Sequence, residues 1–255
     1  MSYENIIVEK KDDVFVLTLN RPPLNILNIK MMNEINMALE EVLGWKECKI
    51  LLIKGEGKAF SAGADVGEHL PEKVNEMLKT FHKMFYLLDL FEGISVSAVN
   101  GSALGGGCEL ALFCDMVLAS EKAKFGQPEI KLGVFPPVAV ALYPLVFPSR
   151  FIMDFILSGE IIDATEAEKK GLINKIISSE RFYEEVDEYL KKFKSLSLSS
   201  LKITKTVIKK IIKLDFQNNL KFADEDYLTI LMKTEDANEG LKAFLEKREP
   251  LWKNK

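Results

Sequence analysis

The sequence has little of what builds metal and disulfide frameworks: three cysteines (Cys48, Cys108, Cys114) at irregular spacing and two histidines (His69, His82) in 255 residues. These are too few for a disulfide scaffold or a four-ligand zinc site, so no metal is expected. Positive charge is not in surplus either, since 34 Lys+Arg against 38 Asp+Glu leave a net charge of −4. Nucleic acids are gripped by clustered Lys and Arg, so the balance argues against such a partner. Long apolar runs are missing too. The most apolar stretch, 132–147, is broken by Pro136, Pro137 and Pro144, which argues against a membrane helix. The opening MSYENIIVEKK lacks a positive segment followed by an apolar one, so no secretory leader is expected. These absences together suggest a reduced, cytoplasmic protein.

What is present is ordinary globular material, 47% hydrophobic and 28% charged, without low-complexity segments or linkers. Residues 5–9 and 13–19 read as two strands joined at Asp12-Asp13, and RPPLN (21–25) ends the sheet pattern. Apolar residues at 31, 35, 38, 39, 42 and 43 predict a helix. KILLIKG (49–55) predicts a strand buried on both faces, followed by the glycine-containing loop 55–65 and a helix over 72–91. A strand at 95–100 runs into GSALGGG (101–107), then a helix from Cys108 and a strand at 115–120. Strands alternating with helices at this spacing imply right-handed parallel crossovers. Beyond Arg150 the pattern is helical (151–158, 164–171, 181–195, 198–213, 217–232, 235–247), with one late strand at 172–178. On the helix from 198, Lys202, Lys205, Lys209, Lys210 and Lys213 read as a solvated face.

Chemistry concentrates in GSALGGGCELA (101–111). Consecutive glycines before a helix leave N–H groups exposed at its positive end, where an oxyanion or phosphate can be held. No GK[ST] follows, so this is not a nucleotide P-loop, and GxGxxG is not matched. No GxSxG elbow exists for a serine hydrolase. Glu109, in the first turn of that helix, could merely complement its dipole, and Glu129, in FGQPEIKLG (125–133), could be a surface glutamate. Both lie among small and apolar residues, where a pair of buried carboxylates is costly and one holds its proton near neutrality. KAFSAGAD (58–65) offers small residues wherever backbone must approach a ligand.

LNRPPLNIL (19–27), GKAFSAGAD (57–65), SAVNGSALGGGCELALFCDMVLAS (97–120), KFGQPEIKLGVFP (124–136), LSGEIIDATEAEKKGLI (157–173) and TEDANEGLKAFLEKREPLWK (234–253) together resemble the enoyl-CoA hydratase/isomerase (crotonase) family over essentially the whole chain. The resemblance implies an α/β spiral of repeated β-β-α turns. It places the CoA and catalytic sites in residues 1–195 and an α-helical region for subunit assembly in 196–255, giving a homotrimer or a hexamer of paired trimers. It implies an acyl-CoA thioester as ligand, with CoA part of the substrate and no separate cofactor. By the same resemblance Glu109 and Glu129 match the acid/base pair of hydratases, and the N–H groups of Ala64 and Gly106 match the oxyanion hole. Leu24, Ala62, Asp65 and Val66 fall where the family meets CoA. His69, Val134 and Pro137 fall at the acyl pocket, although His69 taken alone reads as a surface-loop residue. His82 reads as structural, Asp65 as serving its loop and Asp115 as capping a turn.

One stretch departs from the family. Hydratases carry a PGAGG run after the second glutamate, whereas here FPPVAVALYP (135–144) puts Pro137 in place of a glycine whose N–H would help hold the water. PPLNIL, AGADVGEHLPEK and KFGQPEIKLGVFPPVA are most similar to cyclohexa-1,5-diene-1-carbonyl-CoA hydratases of aromatic degradation. That implies a ring dienoyl substrate, giving the 6-hydroxycyclohex-1-ene product. A short-chain enoyl-CoA hydratase or isomerase, and a non-catalytic CoA-ester-binding scaffold, are the alternatives.

Overall fold

The computed structural model describes residues 3–211 and 216–254. Strands β1 (Ile6–Lys11) and β2 (Val14–Leu19) form an antiparallel hairpin, its reversal carried by Asp12 at φ 54°. Helix α1 (Ile29–Gly44) follows, capped by the Asn28 side chain accepting from the Met31 N–H. Its buried Met31, Ile35, Ala38, Leu39 and Val42 lie on the apolar stripe predicted from spacing, which Met32 widens, while Leu43 is only half-buried.

Three windings then repeat one plan. Strand β3 (Ile50–Gly55) leads to short β4 (Ala59–Ser61) and helix α2 (Val74–Leu90). Strand β5 (Ile94–Val99) leads to β6 (Ser102–Leu104) and α3 (Gly106–Phe113). Strand β7 (Met116–Ser120) leads to β8 (Lys124–Gly126), a 3₁₀ turn (Pro128–Leu132) and α4 (Pro137–Val146). The long strands stack in parallel, so a six-stranded sheet runs β1-β2-β3-β5-β7 and ends on the later β10 (Lys175–Ile177). The short strands form a second sheet, β4-β6-β8, closed antiparallel by β9 (Ile161–Asp163). Each winding is thus strand, strand, helix, the α/β spiral of the crotonase fold.

The short strands escape sequence reading because AFS, SAL and KFG are too brief for alternation to register. Helix α4 is also new. It occupies the stretch whose prolines argued against a membrane helix, starting at Pro137, where a missing N–H costs nothing, and tolerating Pro144 near its end. No described helix is long and apolar enough to cross a membrane.

The remaining elements are α5 (Ser149–Ser158), α6 (Ala164–Lys169), α7 (Phe182–Lys194), α8 (Leu198–Ile211), α9 (Phe216–Thr229) and α10 (Glu235–Leu245). Buried Phe216, Leu220, Ala223 and Tyr227 give α9 one inward face. Leu228 and Leu231 pack against the core, whereas Ile208 is 54% exposed. The Ile211 side chain, Ile212 and Lys213 lie outside the described residues.

The lysines of α8 correct the expectation of a solvated face. Lys205 Nζ donates to Phe91 O (2.9 Å), Gly93 O (2.8 Å) and Asp115 Oδ2 (2.7 Å), and Lys209 Nζ to Asp89 Oδ1 at 2.6 Å. Carbonyls left open at the end of α2 and before β5 thereby gain charged donors, and α8 is fastened to the spiral. Asp115 also accepts from the Ser95 N–H and hydroxyl, so it does hold the turn into β7. Replacing Lys205 by Met should cost about 2–3 kcal/mol, the worth of a charged hydrogen-bonded group at a part-buried site, read as a lower urea midpoint with unchanged slope.

Candidate active site

Two loops meet over the N-terminus of α3. The segment 61–69 is tied to segment 24–27 by Ala62 N–H to Leu24 O (2.9 Å), Leu27 N–H to Gly63 O (2.9 Å) and Asp65 N–H to Leu27 O (3.1 Å). Asn25, fully buried at φ 52°, clamps the junction by donating to Glu56 O, Ala59 O and Phe60 O. Nothing in the local sequence marks Asn25 for this task. Among the described residues no acceptor takes the N–H of Ala64 or of Gly106. A Cβ on Gly106 would stand 3.4 Å from Ala64 N and 2.9 Å from the Phe81 ring, so the two donors are close and only glycine fits. Paired free N–H groups at a helix N-terminus are built to receive an oxygen that gains negative charge.

Glu109 lies in the first turn of α3 and is 2% exposed. Its Oε1 accepts from the Ala139 N–H at 2.7 Å, so the carboxyl docks on the N-terminus of α4. Glu129, in the 3₁₀ turn after β8, lines the same cavity. At Gly105 (φ 51°) a Cβ would fall 2.5 Å from Glu129 Oε1, and Glu129 Oε2 is buried without a partner among the described residues. Burial pushes Glu109 up to about 8; the Asp224 charge adds to this, while the Ala139 and Val138 N–H groups oppose it. Burial, then the neighbouring Glu109 charge, holds Glu129 well above the usual carboxylate range. Two carboxyls that each resist ionisation, and resist it more once the other is charged, can hold a proton at neutral pH.

Both carboxyls face a cavity of about 20 Å³, lined also by Ala64, His69, Gly106, Phe81, Phe135, Pro137 and Tyr227. That volume admits a water molecule, which needs roughly 10–15 Å³.

The structure thus gathers Glu109, Glu129, Ala64, Gly106, His69 and Pro137 around one space. His69 corrects the surface-loop reading. It closes the 3₁₀ turn Val66–Glu68, and its ring enters the cavity wall because Asp65 O, 2.9 Å from Nδ1, turns it inward. Val134 is 1% exposed, packs in the main core and is not among the residues lining this cavity. Pro137 is the first residue of α4 and brings no N–H to the cavity, while the Ala139 N–H two residues on serves Glu109. Leu24, Ala62, Asp65 and Val66 lie on the bonded loop pair outside the cavity wall. Leu24 is 44% exposed, and the Asp65 side chain serves its loop by accepting from the Gly67 N–H. His82 is buried 2.9 Å from Asp224 on α9, a helix-to-helix tie.

Sequence reading missed Phe81, Phe135 and Tyr227. Phe81 sits on the apolar stripe of α2 and is indistinguishable there from core. Tyr227 comes from the C-terminal helices and meets Phe135 edge to face at 5.1 Å, a contact no local pattern announces.

Comparison with known proteins agrees with this geometry. The family described as Enoyl-CoA hydratase/isomerase matches residues 9–255. A probable enoyl-CoA hydratase of Rhizobium meliloti is 37% identical over all of both chains. A cyclohexa-1,5-dienecarbonyl-CoA hydratase of Thauera aromatica is 36% identical over 97% of this chain and 96% of its own. The crystal structure of an enoyl-CoA hydratase from Mycobacterium avium subsp. paratuberculosis superposes with a TM-score of 0.89 at 29% identity, covering 99% of this chain and 100% of the other. With spiral, glycine-opened helix and facing carboxyls all in place, the chain is a member of the enoyl-CoA hydratase/isomerase family.

Proposed function

We propose that this enzyme, a hydro-lyase, adds water to an α,β-unsaturated acyl-CoA thioester, with Glu109 and Glu129 as acid and base. The observation that carries the reading is the pair of buried carboxyls lining one water-sized cavity, beside two unspent N–H groups. The thioester oxygen binds to the Ala64 and Gly106 N–H groups, which strengthen their hold as an enolate forms; each such donor is typically worth ~2.7–4 kcal/mol. One carboxylate takes a proton from water as its oxygen attacks the β-carbon. The other, protonated, delivers its proton to the carbanion, so water is added and nothing else is consumed. No step calls for a cofactor, since CoA enters as part of the substrate. A scaffold without turnover would carry two destabilising buried carboxyls for no return.

The finer reading is a ring dienoyl thioester, with the proton going to the far end of the dienolate. The flat rings of Phe81, Phe135 and Tyr227 around the cavity favour it, as does the similarity to the Thauera enzyme. A short-chain enoyl group is the alternative. We also propose that residues 196–255 assemble a homotrimer or hexamer, which exposed Ile203, Val207 and Ile208 on α8 favour.

Glu129→Gln and Glu109→Gln should each lower kcat for hydration by about 10²–10⁴ while CoA-ester affinity stays within a few-fold; normal turnover in either variant would sink the acid/base assignment. An isomerase would survive loss of Glu109. Because both groups keep their protons above the ordinary glutamate range, the base form accumulates only as pH rises. The kcat/KM profile should therefore be bell-shaped, with its maximum at neutral to mildly alkaline pH. A maximum near pH ~4.3, where exposed glutamates titrate, would contradict this. Assayed side by side, cyclohexa-1,5-diene-1-carbonyl-CoA should be hydrated in preference to crotonyl-CoA; the reverse order would assign the short-chain substrate.

A further inference from the structure

Apart from the two carboxyls, the polar side chains on the cavity wall are His69 and Tyr227. The state of the imidazole is fixed by its neighbours. Its Nδ1 lies 2.9 Å from the carbonyl oxygen of Asp65, and a carbonyl only accepts, so Nδ1 carries the hydrogen. Burial pulls His69 below the usual histidine range, against the opposing pull of Asp65, so the ring is neutral at pH 7 and Nε2 is a bare acceptor. No described residue donates to it.

The ring is also held rigidly. The His69 N–H donates to Val66 O (3.1 Å), Asp65 Oδ1 accepts from the Gly67 N–H (3.0 Å), and Glu68 Oε2 accepts from the Ile29 N–H (2.7 Å). This turn begins two residues after Ala64, so the His69 ring is tied closely to the N–H that receives the thioester oxygen. Met77, Leu78, Phe81 and Phe135 share the wall and cannot donate, and the Tyr227 hydroxyl and the two carboxyls that could donate make no hydrogen bond to His69 among the described residues. A ligand that displaces water from this acceptor loses a hydrogen bond unless it brings a donor of its own. The thioester oxygen is itself an acceptor, and an unsaturated hydrocarbon chain has no donor at all. A hydroxyl on the acyl group has one.

We propose that His69 Nε2 accepts a hydrogen bond from the hydroxyl of a hydroxyacyl thioester, which makes His69 the residue that tells hydrated from unhydrated acyl groups. The assignment rests on the hydratase reading above, since that reaction interconverts the two. It gives the site a preference for hydroxyacyl over plain acyl thioesters that the two carboxyls alone do not set, and it makes His69 a specificity-determining group.

The test is calorimetric titration of 3-hydroxybutyryl-CoA and of butyryl-CoA into the full-length Glu129→Gln protein, with His69 intact, as His69→Leu and as His69→Gln. With His69 the hydroxy ester should bind roughly tenfold tighter, the worth of one net hydrogen bond. In His69→Leu that advantage should vanish while butyryl-CoA affinity stays within twofold. His69→Gln, which keeps an acceptor, should recover part of it. Equal affinities with His69 present, or a parallel fall for both esters in His69→Leu, would overturn the proposal. Crotonyl-CoA appearing during the titration would instead show that Glu129→Gln still turns over, which counts against the catalytic assignment and leaves the affinity ratio readable.

Discussion

Glu109 and Glu129 face one cavity of about 20 Å³, and burial raises the proton affinity of both. A carboxyl kept protonated by the fold destabilises it progressively as pH rises above ~4.3, because the unfolded chain releases that proton and the folded one does not. The architecture nearby offsets part of this cost. The N-terminus of α4 gives Glu109 the Ala139 N–H, and Gly105 and Gly106 supply close approach where any Cβ would collide. On the proposed reading the remaining cost is functional, since a group that binds its proton reluctantly in neither direction can both take and give one near pH 7.

The spiral explains how residues distant in sequence meet. Each winding ends a long parallel strand at the same level, crosses through a short strand and enters a helix. The segments after the short strands β4, β6 and β8 therefore converge, bringing Ala64, Gly106 and Glu129 together. The C-terminal helices complete the wall from outside this repeat. Tyr227 reaches the cavity because α9 lies along α4 and is tied to α2 through Asp224 and His82. Lys205 and Lys209 fasten the preceding helix in the same manner, by supplying charged donors to carbonyls the spiral leaves open.

Much of this was legible in the residues. The long strands announced themselves by apolar runs, α1 and α2 by their stripes, and the glycine-opened N-terminus of α3 by GSALGGG. What was not legible depended on distance in the chain. The three-residue strands exist because neighbouring windings pair with them. The α8 lysines look solvated until the carbonyls they meet are seen, and His69 looks like a loop residue until Asp65 O orients its ring. That Pro137 opens a helix was not apparent from FPPVAV, because three prolines in 132–147 read as breaks rather than as a helix start.

The most direct test of the central claim is an infrared titration of the carboxyl groups in the unliganded enzyme. The account predicts a protonated-carboxyl C=O band that persists through pH 7 and is lost or displaced in both Glu109→Gln and Glu129→Gln. A spectrum in which every such band disappears by pH ~5, as ordinary glutamates would give, would contradict it.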